Sequence, residues 1–212
     1  MPSNLSQALD QISEIRRTMV RSQVFRGYRA QTTAITGVLA LIVAAVQSRI
    51  VPDPWHDMPA YFALWCGLAV VCVAIFGFEQ YTRCRRLASP LQNERTFEAL
   101  ERFVPALAAG TIVTIVFYCY LAEYSWMLPG FWSIFFSLGI FASRSLLPRG
   151  ISGVAGYYLI GGCVCLICGH GGGHCFSPWE MALTFGIGQL LAAGVLYWNL
   201  ERRHGRQSSA RQ

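Results

Sequence analysis

The sequence has no lysine, and aspartate occurs only at Asp10, Asp53 and Asp57. Without lysine the chain cannot form a retinal Schiff base. It also lacks the two aspartates within apolar segments that an intramembrane aspartyl protease needs. Four glutamates, Glu79, Glu123, Glu180 and Glu201, fall at the ends of the apolar segments, where they are expected to reach water or headgroups. Ion-coupled carriers generally hold a carboxylate near mid-membrane, so active transport by such a mechanism is disfavoured.

Motifs of nucleotide binding and of secretion are also missing. The glycines from Gly169 to Gly173 are not followed by Lys-Ser or Lys-Thr and open no strand–helix unit, which excludes a phosphate-binding loop there. The first 26 residues lack the apolar core of a cleavable signal peptide. The first apolar segment is therefore expected to serve as an uncleaved signal-anchor.

Apolar sequence is what the chain has in abundance: 54% of its 212 residues are hydrophobic and only 13% are charged. A helix needs about 20 mainly apolar residues to cross a bilayer. Six spans are predicted, at 31–47, 60–78, 104–121, 131–142, 152–168 and 178–198. Because the fourth is short, we expect it to extend through Ser143 to Leu147, or to tilt and thin the bilayer locally. The predicted fold is an all-α integral membrane protein, a six-transmembrane-helix bundle.

The distribution of arginine predicts the orientation of this bundle. Every arginine except Arg49 lies before span one, between spans two and three, between spans four and five, or after span six. Short arginine-rich loops stay cytoplasmic, so both termini are predicted to be inside. The same distribution explains the net charge of +6, and nucleic-acid binding is not expected. Arginine without lysine is typical of a GC-rich bacterial genome, which makes a bacterial inner membrane the expected location.

Polar segments flank a membrane domain predicted for residues 31–201. Residues 1–30 contain an amphipathic helix, which is expected to lie on the inner leaflet or to pack against another segment or subunit. Residues 202–212 form a basic cytoplasmic tail. The apolar face of the N-terminal helix consists of Leu5, Leu9, Ile12, Ile15 and Met19.

The longest loop, residues 79–103, is predicted to be a cytoplasmic helical loop. Ser89 and Pro90 form a helix-start pattern, with serine as the cap and proline in the first turn. The helix that begins there is expected to run into span three, where Pro105 would kink it.

Small residues spaced four apart predict close contacts between helices. Gly188 with Ala192 and Ala106 with Gly110 are such pairs. They favour a compact bundle, and self-association through one of these faces is the alternative.

The stretch 161–175, at the outer end of span five, gathers four cysteines and two histidines. Thiolate and imidazole are ligands for zinc or copper. Cys165 and Cys168 also form a CxxC pair that faces a compartment expected to be oxidising, which suits thiol redox chemistry. Alternatively, the cysteines pack as small apolar side chains and the glycine–histidine run forms a turn. The candidate metal ligands are Cys165, Cys168, His170, His174 and Cys175.

Gln189 is the main polar side chain deep within a predicted span. It is expected to pack or hydrogen-bond between helices, or to mark a ligand site for a small solute. The leading prediction is a non-enzymatic membrane protein without a cofactor, which acts through helix packing, through a cytoplasmic protein partner or through self-association. The alternatives are the zinc, copper or thiol-redox site and a small-solute transporter with a polar site near Gln189.

Overall fold

The computed structural model describes residues 30–86, 90–148, 150–170 and 176–201. These residues form helices, with no strand among them. We number them α1 (Ala30–Ile50), α2 (Met58–Arg86), α3 (Pro90–Tyr120), α4 (Leu128–Ala142) and α5 (Ile151–Gly169). The sixth, α6, joins α-helical Pro178–Met181 and Gly188–Leu196 to π-helical Ala182–Ile187 and Tyr197–Glu201.

Six helices in the described part of the chain are long and apolar enough to cross a membrane. This confirms the all-α prediction with six candidate spans. The N-terminal amphipathic helix and the basic tail lie outside the described residues, apart from Ala30, with which α1 begins.

The helices run alternately between two ends of the bundle. The end that carries residues 51–57 and the start of α6 is called the aromatic end here, because a core of aromatic side chains gathers there. The opposite end, where α3 and α5 begin, is called the arginine end. The side chains at the aromatic end include Tyr61, Phe62, Trp65, Trp126, Trp132 and Phe176.

Span four gains its length at its start. A 3-10 helix, Ala122–Met127, leads directly into α4, so that Ala122–Ala142 makes 21 residues. Beyond Ala142 the chain folds into turns, in which the Leu146 N–H donates to the carbonyl of Ser143. The expected extension through Ser143 to Leu147 is therefore wrong. Pro148 disfavours a helical conformation at Leu147, the residue before it, so the helix would not extend through Leu147.

The cap pattern at Pro90 correctly predicted a helix that runs on into span three. α3 is one helix from Pro90 to Tyr120, and Pro105 lies inside it. Its span, Glu101–Tyr120, begins well after the helix does. At 1.5 Å per residue, the segment 90–100 extends α3 by roughly 16 Å past the span.

α4 and α5 approach each other closely where two glycines face one another. A methyl group added at Gly162 would lie 2.7 Å from the Gly130 carbonyl oxygen, and one added at Gly130 would lie 2.9 Å from the Gly162 carbonyl oxygen. Neither position has room for a side chain. Helix backbones in lipid come together in this way through small residues.

Two serines extend the α4–α5 contact toward the arginine end. Ser133 Oγ donates to the Tyr158 carbonyl oxygen at 3.0 Å, and Ser137 Oγ donates to the Ala155 carbonyl oxygen at 2.7 Å. Both serines are fully buried. Gly130, Ser133 and Ser137 are three and four residues apart and therefore lie on one face of α4. This single face makes the contact with α5.

The predicted small-residue pairs also lie at helix contacts. A methyl group added at Gly188 would lie 2.5 Å from the ring of Tyr158 in α5, and Ala192 is buried. A methyl group added at Gly139 of α4 would lie 3.2 Å from the Ala106 side chain, and one at Gly110 would be 3.8 Å from Phe135. These contacts hold α6 against α5 and α3 against α4.

α2 and α3 lie at the periphery. Beyond Trp65, no described side chain of α2 is buried, and none of those described in α3 is buried either. An exposed apolar surface that runs along two helices is rare on a water-soluble monomer and marks contact with lipid or another protein. Its large apolar side chains are Val70, Val71, Val73, Phe78, Tyr81, Val104, Leu107, Ile112, Ile115, Val116, Tyr118 and Tyr120.

Candidate functional site

A buried hydrogen-bond network at the aromatic end centres on Gln47, in the last turn of α1. The Gln47 Nε2 donates to the Phe176 carbonyl oxygen at 2.9 Å, and its Oε1 accepts from Trp65 Nε1 at 3.0 Å. Gln47 is fully buried, and both ends of its amide are paired. One side chain thus links α1, α2 and the residues just before α6.

Sequence reasoning missed Gln47, which was treated only as the end of span one. The helical spacing of residues in α1 contains a pattern that could have identified Gln47. Gln47 continues a stripe of small residues along one face of α1, and a polar residue that ends such a stripe faces the protein interior. The buried members of this stripe are Thr33, Gly37, Ala40, Ala44 and Gln47.

Phe176 receives this hydrogen bond from an unusual backbone conformation. Its φ is +62°, a left-handed value that is strained for a bulky residue. The ring is buried and lies 4.7 Å from the ring of Tyr61 and 6.0 Å from that of Trp55, between centroids. The aromatic contacts and the bond from Gln47 together offset the backbone strain, and they attach the start of α6 to α2.

Three titratable side chains from three helices lie near enough to one another at this end for their charges to interact. The Glu180 carboxylate of α6 interacts electrostatically with the Tyr61 hydroxyl of α2 and with the Cys165 thiol of α5. Tyr61 Oη and Glu180 Oε2 are inaccessible, and neither has a hydrogen-bond partner among the described residues. Glu180 as a whole is half-buried, so the expectation that it reaches water or headgroups at a span end stays a prediction. We call Tyr61, Cys165 and Glu180 the acid cluster.

Only part of the predicted metal-ligand set can be placed. Cys165 is buried, with 9% of its surface exposed, whereas Cys168 is exposed, and both are free thiols. His170 is exposed too, and its ring lies 6.1 Å from that of Trp126. Within the described ranges no three His, Cys, Asp or Glu side chains are close enough to hold a metal ion. His174 and Cys175 lie outside those ranges, so the metal or thiol-redox site stays a prediction.

Gln189 lies at the contact between α1 and α6. A methyl group added at Gly37 would be 3.0 Å from the Gln189 Cβ and 3.0 Å from the Gly186 carbonyl oxygen. Gln189 itself is half-buried. The side chain therefore packs at a close helix crossing, while its proposed role in binding a small solute stays a prediction.

The loop 51–57 carries an exposed pair at the aromatic end. His56 Nδ1 lies 2.7 Å from Asp53 Oδ2, and the His56 backbone N–H donates to Asp53 Oδ1. The hydrogen bond from the His56 side chain lowers the pKa of Asp53 below its ordinary value. Because the folded-state pKa is lowered, this interaction is fully present above the ordinary pKa and is lost as the pH falls through the lowered one.

At the arginine end, hydrogen bonds tie the peripheral helices to the bundle. The Thr32 hydroxyl of α1 donates to the Glu79 carboxylate of α2. Arg102 of α3 donates to Ser145, in the turn after α4, and pairs with Glu98 one helical turn earlier. The Arg102–Glu98 pair is exposed and contributes about 0.2–0.5 kcal/mol at most.

Comparison with protein-family models, curated proteins and solved structures finds no match for this chain. The function proposed below therefore rests on the geometry and chemistry of the described residues.

Proposed function

We propose that the protein is a multi-pass integral membrane protein of a bacterial inner membrane, with both termini and the arginine end in the cytoplasm. One observation carries this proposal: α3 is apolar enough to span a bilayer, yet none of its residues with a described side chain is buried. A helix of this kind needs lipid as its solvent. The orientation is supported by the arginines, all of which except Arg49 belong to the arginine end or to the terminal segments on that side.

Cysteine labelling in intact cells tests the insertion and the orientation. In a variant without native cysteines, one cysteine is introduced by Glu123→Cys at the aromatic end or by Ser145→Cys at the arginine end; both sites are exposed. We expect a membrane-impermeant maleimide to label the Glu123→Cys variant at once. The Ser145→Cys variant should react only after the membrane is permeabilised, because its site faces the cytoplasm.

The two variants serve as controls for each other. The reverse pattern would exclude the proposed orientation. Equal labelling of both without permeabilisation, with the protein in the soluble fraction, would exclude membrane insertion.

Within the membrane, we propose a non-enzymatic role in which the protein contacts a cytoplasmic partner protein at the arginine end. The contact surface is the segment 90–100 of α3, which extends past the span by roughly 16 Å. The bond from Arg102 to Ser145 holds the base of this segment against the bundle. Glu98, which pairs with Arg102 one turn later, is exposed at that base, where a partner can contact it.

Photo-crosslinking from this segment tests the contact. A photoreactive amino acid at Glu98 is expected to give a crosslinked product of defined mass in intact cells, whereas the same amino acid at Glu123 gives none. Co-expression with a longer, tagged copy of the chain distinguishes a different protein from a second copy as the partner. A product that joins two copies of the chain would then also appear at a higher mass, whereas a product with a different protein would not. A crosslink between copies would replace the partner proposal by self-association, and no crosslink from Glu98 would exclude both.

A further inference from the structure

Two glutamines of the bundle, Gln47 and Gln189, differ in how their amides are paired. Gln47 is fully buried, and both ends of its amide form hydrogen bonds. Gln189 is half-buried and has no hydrogen-bond partner among the described residues. Its amide atoms also remain accessible, unlike the unpartnered hydroxyl of Tyr158. The two N–H donors and the oxygen acceptor of Gln189 can therefore bind an additional molecule.

The face of α6 that carries Gln189 points into the bundle. Ala192, Ala193 and Leu196 follow Gln189 at steps of three, four and seven residues, and all three are buried. Residues at these spacings share one face of a helix. Leu191, on the opposite face, is exposed. The accessible part of Gln189 therefore faces a space between the helices.

The residues around Gln189 are small. Gly37 of α1, where α1 crosses α6, contributes no side chain, and Ala192 and Ala193 contribute only methyl groups. The amide at the end of the longer glutamine side chain therefore extends beyond its neighbours. The helical turn just before Gln189 belongs to the π-helical segment Ala182–Ile187. Such segments occur frequently at functional sites.

α2 does not close this space at the level of the α1–α6 crossing. The antiparallel helices α1 and α2 are joined by Thr32 with Glu79 toward the arginine end and by Gln47 with Trp65 toward the aromatic end. This register places Ile75 of α2 near the level of the crossing. Ile75 is only half-buried, as are the neighbours that share its side of α2.

α2 and α3 meet at the aromatic end. There the ring of Phe62 lies 5.8 Å from that of Tyr118, between centroids. Elsewhere in the described part of the chain, α2 packs mainly against α1 and α3 mainly against α4. The interior beside Gln189 is thus least enclosed between α2 and α3, on the side of the bundle that presents apolar residues to the bilayer.

The surroundings of Gln189 are uncharged. The sequence has no charged residue within one helical turn of Gly37 or of Gln189. A charged ligand would lose its hydration there without gaining a counter-charge. Ligand sites between the helices of a bundle are mainly apolar, with a few polar groups that fix the orientation of the ligand. A single amide in an apolar space fits an uncharged ligand.

From this arrangement we infer that the protein binds an uncharged, membrane-soluble molecule beside Gln189, which enters from the bilayer between α2 and α3. The amide of Gln189 forms a hydrogen bond with a hydroxyl or carbonyl group of the molecule. The apolar remainder of the molecule lies between the helices. Binding involves no covalent or redox step, and the site is separate from the partner contact at the arginine end.

Photolabelling of the full chain in phospholipid nanodiscs tests the inference. The probe is a long-chain alcohol that carries a photoreactive diazirine and an alkyne for detection. We expect saturable labelling of inward-facing residues such as Ala193 or Ile75, which an excess of the unlabelled alcohol prevents. Gln189→Leu keeps a side chain of similar size without the amide. It should raise the alcohol concentration for half-maximal labelling about 2- to 10-fold, as loss of one hydrogen bond does.

Leu191→Ala is the matched control on the exposed face of α6, and it should leave the half-maximal concentration unchanged. An alkane probe of equal length, without the hydroxyl, should not distinguish Gln189→Leu from the wild type. An equal difference with the alkane probe would overturn the assigned hydrogen bond. Labelling confined to outward-facing residues such as Val70 and Ile112 would overturn the site, as would an unchanged half-maximal concentration in folded Gln189→Leu.

The wild-type protein decides the question if Gln189→Leu does not fold. Saturable labelling beside Gln189 that the unlabelled alcohol prevents at a lower concentration than the alkane would support the inference. Equal competition by the two molecules would overturn it, because the amide would then contribute nothing to binding.

Discussion

Gly162→Ala is expected to lower the free energy of unfolding by about 1–3 kcal/mol, because a side chain there overpacks the α4–α5 contact. The added methyl group would lie 2.7 Å from the Gly130 carbonyl oxygen and 3.2 Å from the Ile134 backbone nitrogen. Backbone atoms cannot move aside as a flexible side chain can. The helices would have to separate, which would lengthen the nearby bond from Ser133 to the Tyr158 carbonyl oxygen. Reversible thermal or denaturant unfolding in detergent measures the effect.

Gly156→Ala provides the matched control on the same helix. Nothing lies within 4 Å of a methyl group added at Gly156. Removing a helical glycine there should be neutral or stabilising by up to about 1 kcal/mol. If Gly162→Ala were as stable as Gly156→Ala, the close approach of α4 and α5 would not contribute to stability as described.

Gln47→Leu is expected to lower the free energy of unfolding by about 1–3 kcal/mol for each buried group that it leaves unpaired. The two groups are the Trp65 indole N–H and the Phe176 carbonyl, which the amide of Gln47 joins at 3.0 and 2.9 Å. Loss of the second bond also removes one of the contacts that hold Phe176 at its positive φ. Unfolding followed by tryptophan fluorescence measures the change.

The neighbouring variant Ser48→Ala serves as the control, since Ser48 is exposed one residue further along α1. Trp65→Phe removes the indole N–H and leaves most of the ring packing. Combining it with Gln47→Leu should therefore cost less than the sum of the two single effects, because the double variant leaves no indole N–H unpaired. Additive effects would show that the bond between Trp65 and Gln47 contributes nothing measurable.

The fold was predictable where local sequence dominates. The cap pattern at Pro90 and the apolar stretch after it correctly predicted one helix that runs into span three. Span four shows the limit of that reasoning. Its polar and aromatic start, Ala122–Met127, resembles a loop by composition but is helical and contacts α5 in the tertiary structure. The turns that follow Ala142 then end the span, whereas the sequence-based prediction extended it through Ser143 to Leu147 to gain apolar length.

The candidate site was less predictable, because it depends on which atoms face each other. Cysteine and histidine spacing predicted that Cys165 would lie near Cys168 and the histidines, but the spacing did not show that Tyr61 of α2 and Glu180 of α6 also lie near Cys165. Gln47 was overlooked because its two partners lie 18 and 129 residues away. Such pairings leave no local pattern.

By itself the sequence determined the helical class, the number of candidate spans and the separation of arginine from apolar segments. These follow from composition and from the hydrogen-bond requirements of a backbone in an apolar solvent, which every helix meets internally. Only the tertiary structure decided that α4 and α5 cross at Gly130 and Gly162, that Gln47 links three elements, and that a buried oxygen of Glu180 has no partner among the described residues. Those features depend on contacts between residues distant in the chain, where steric fit and desolvation act.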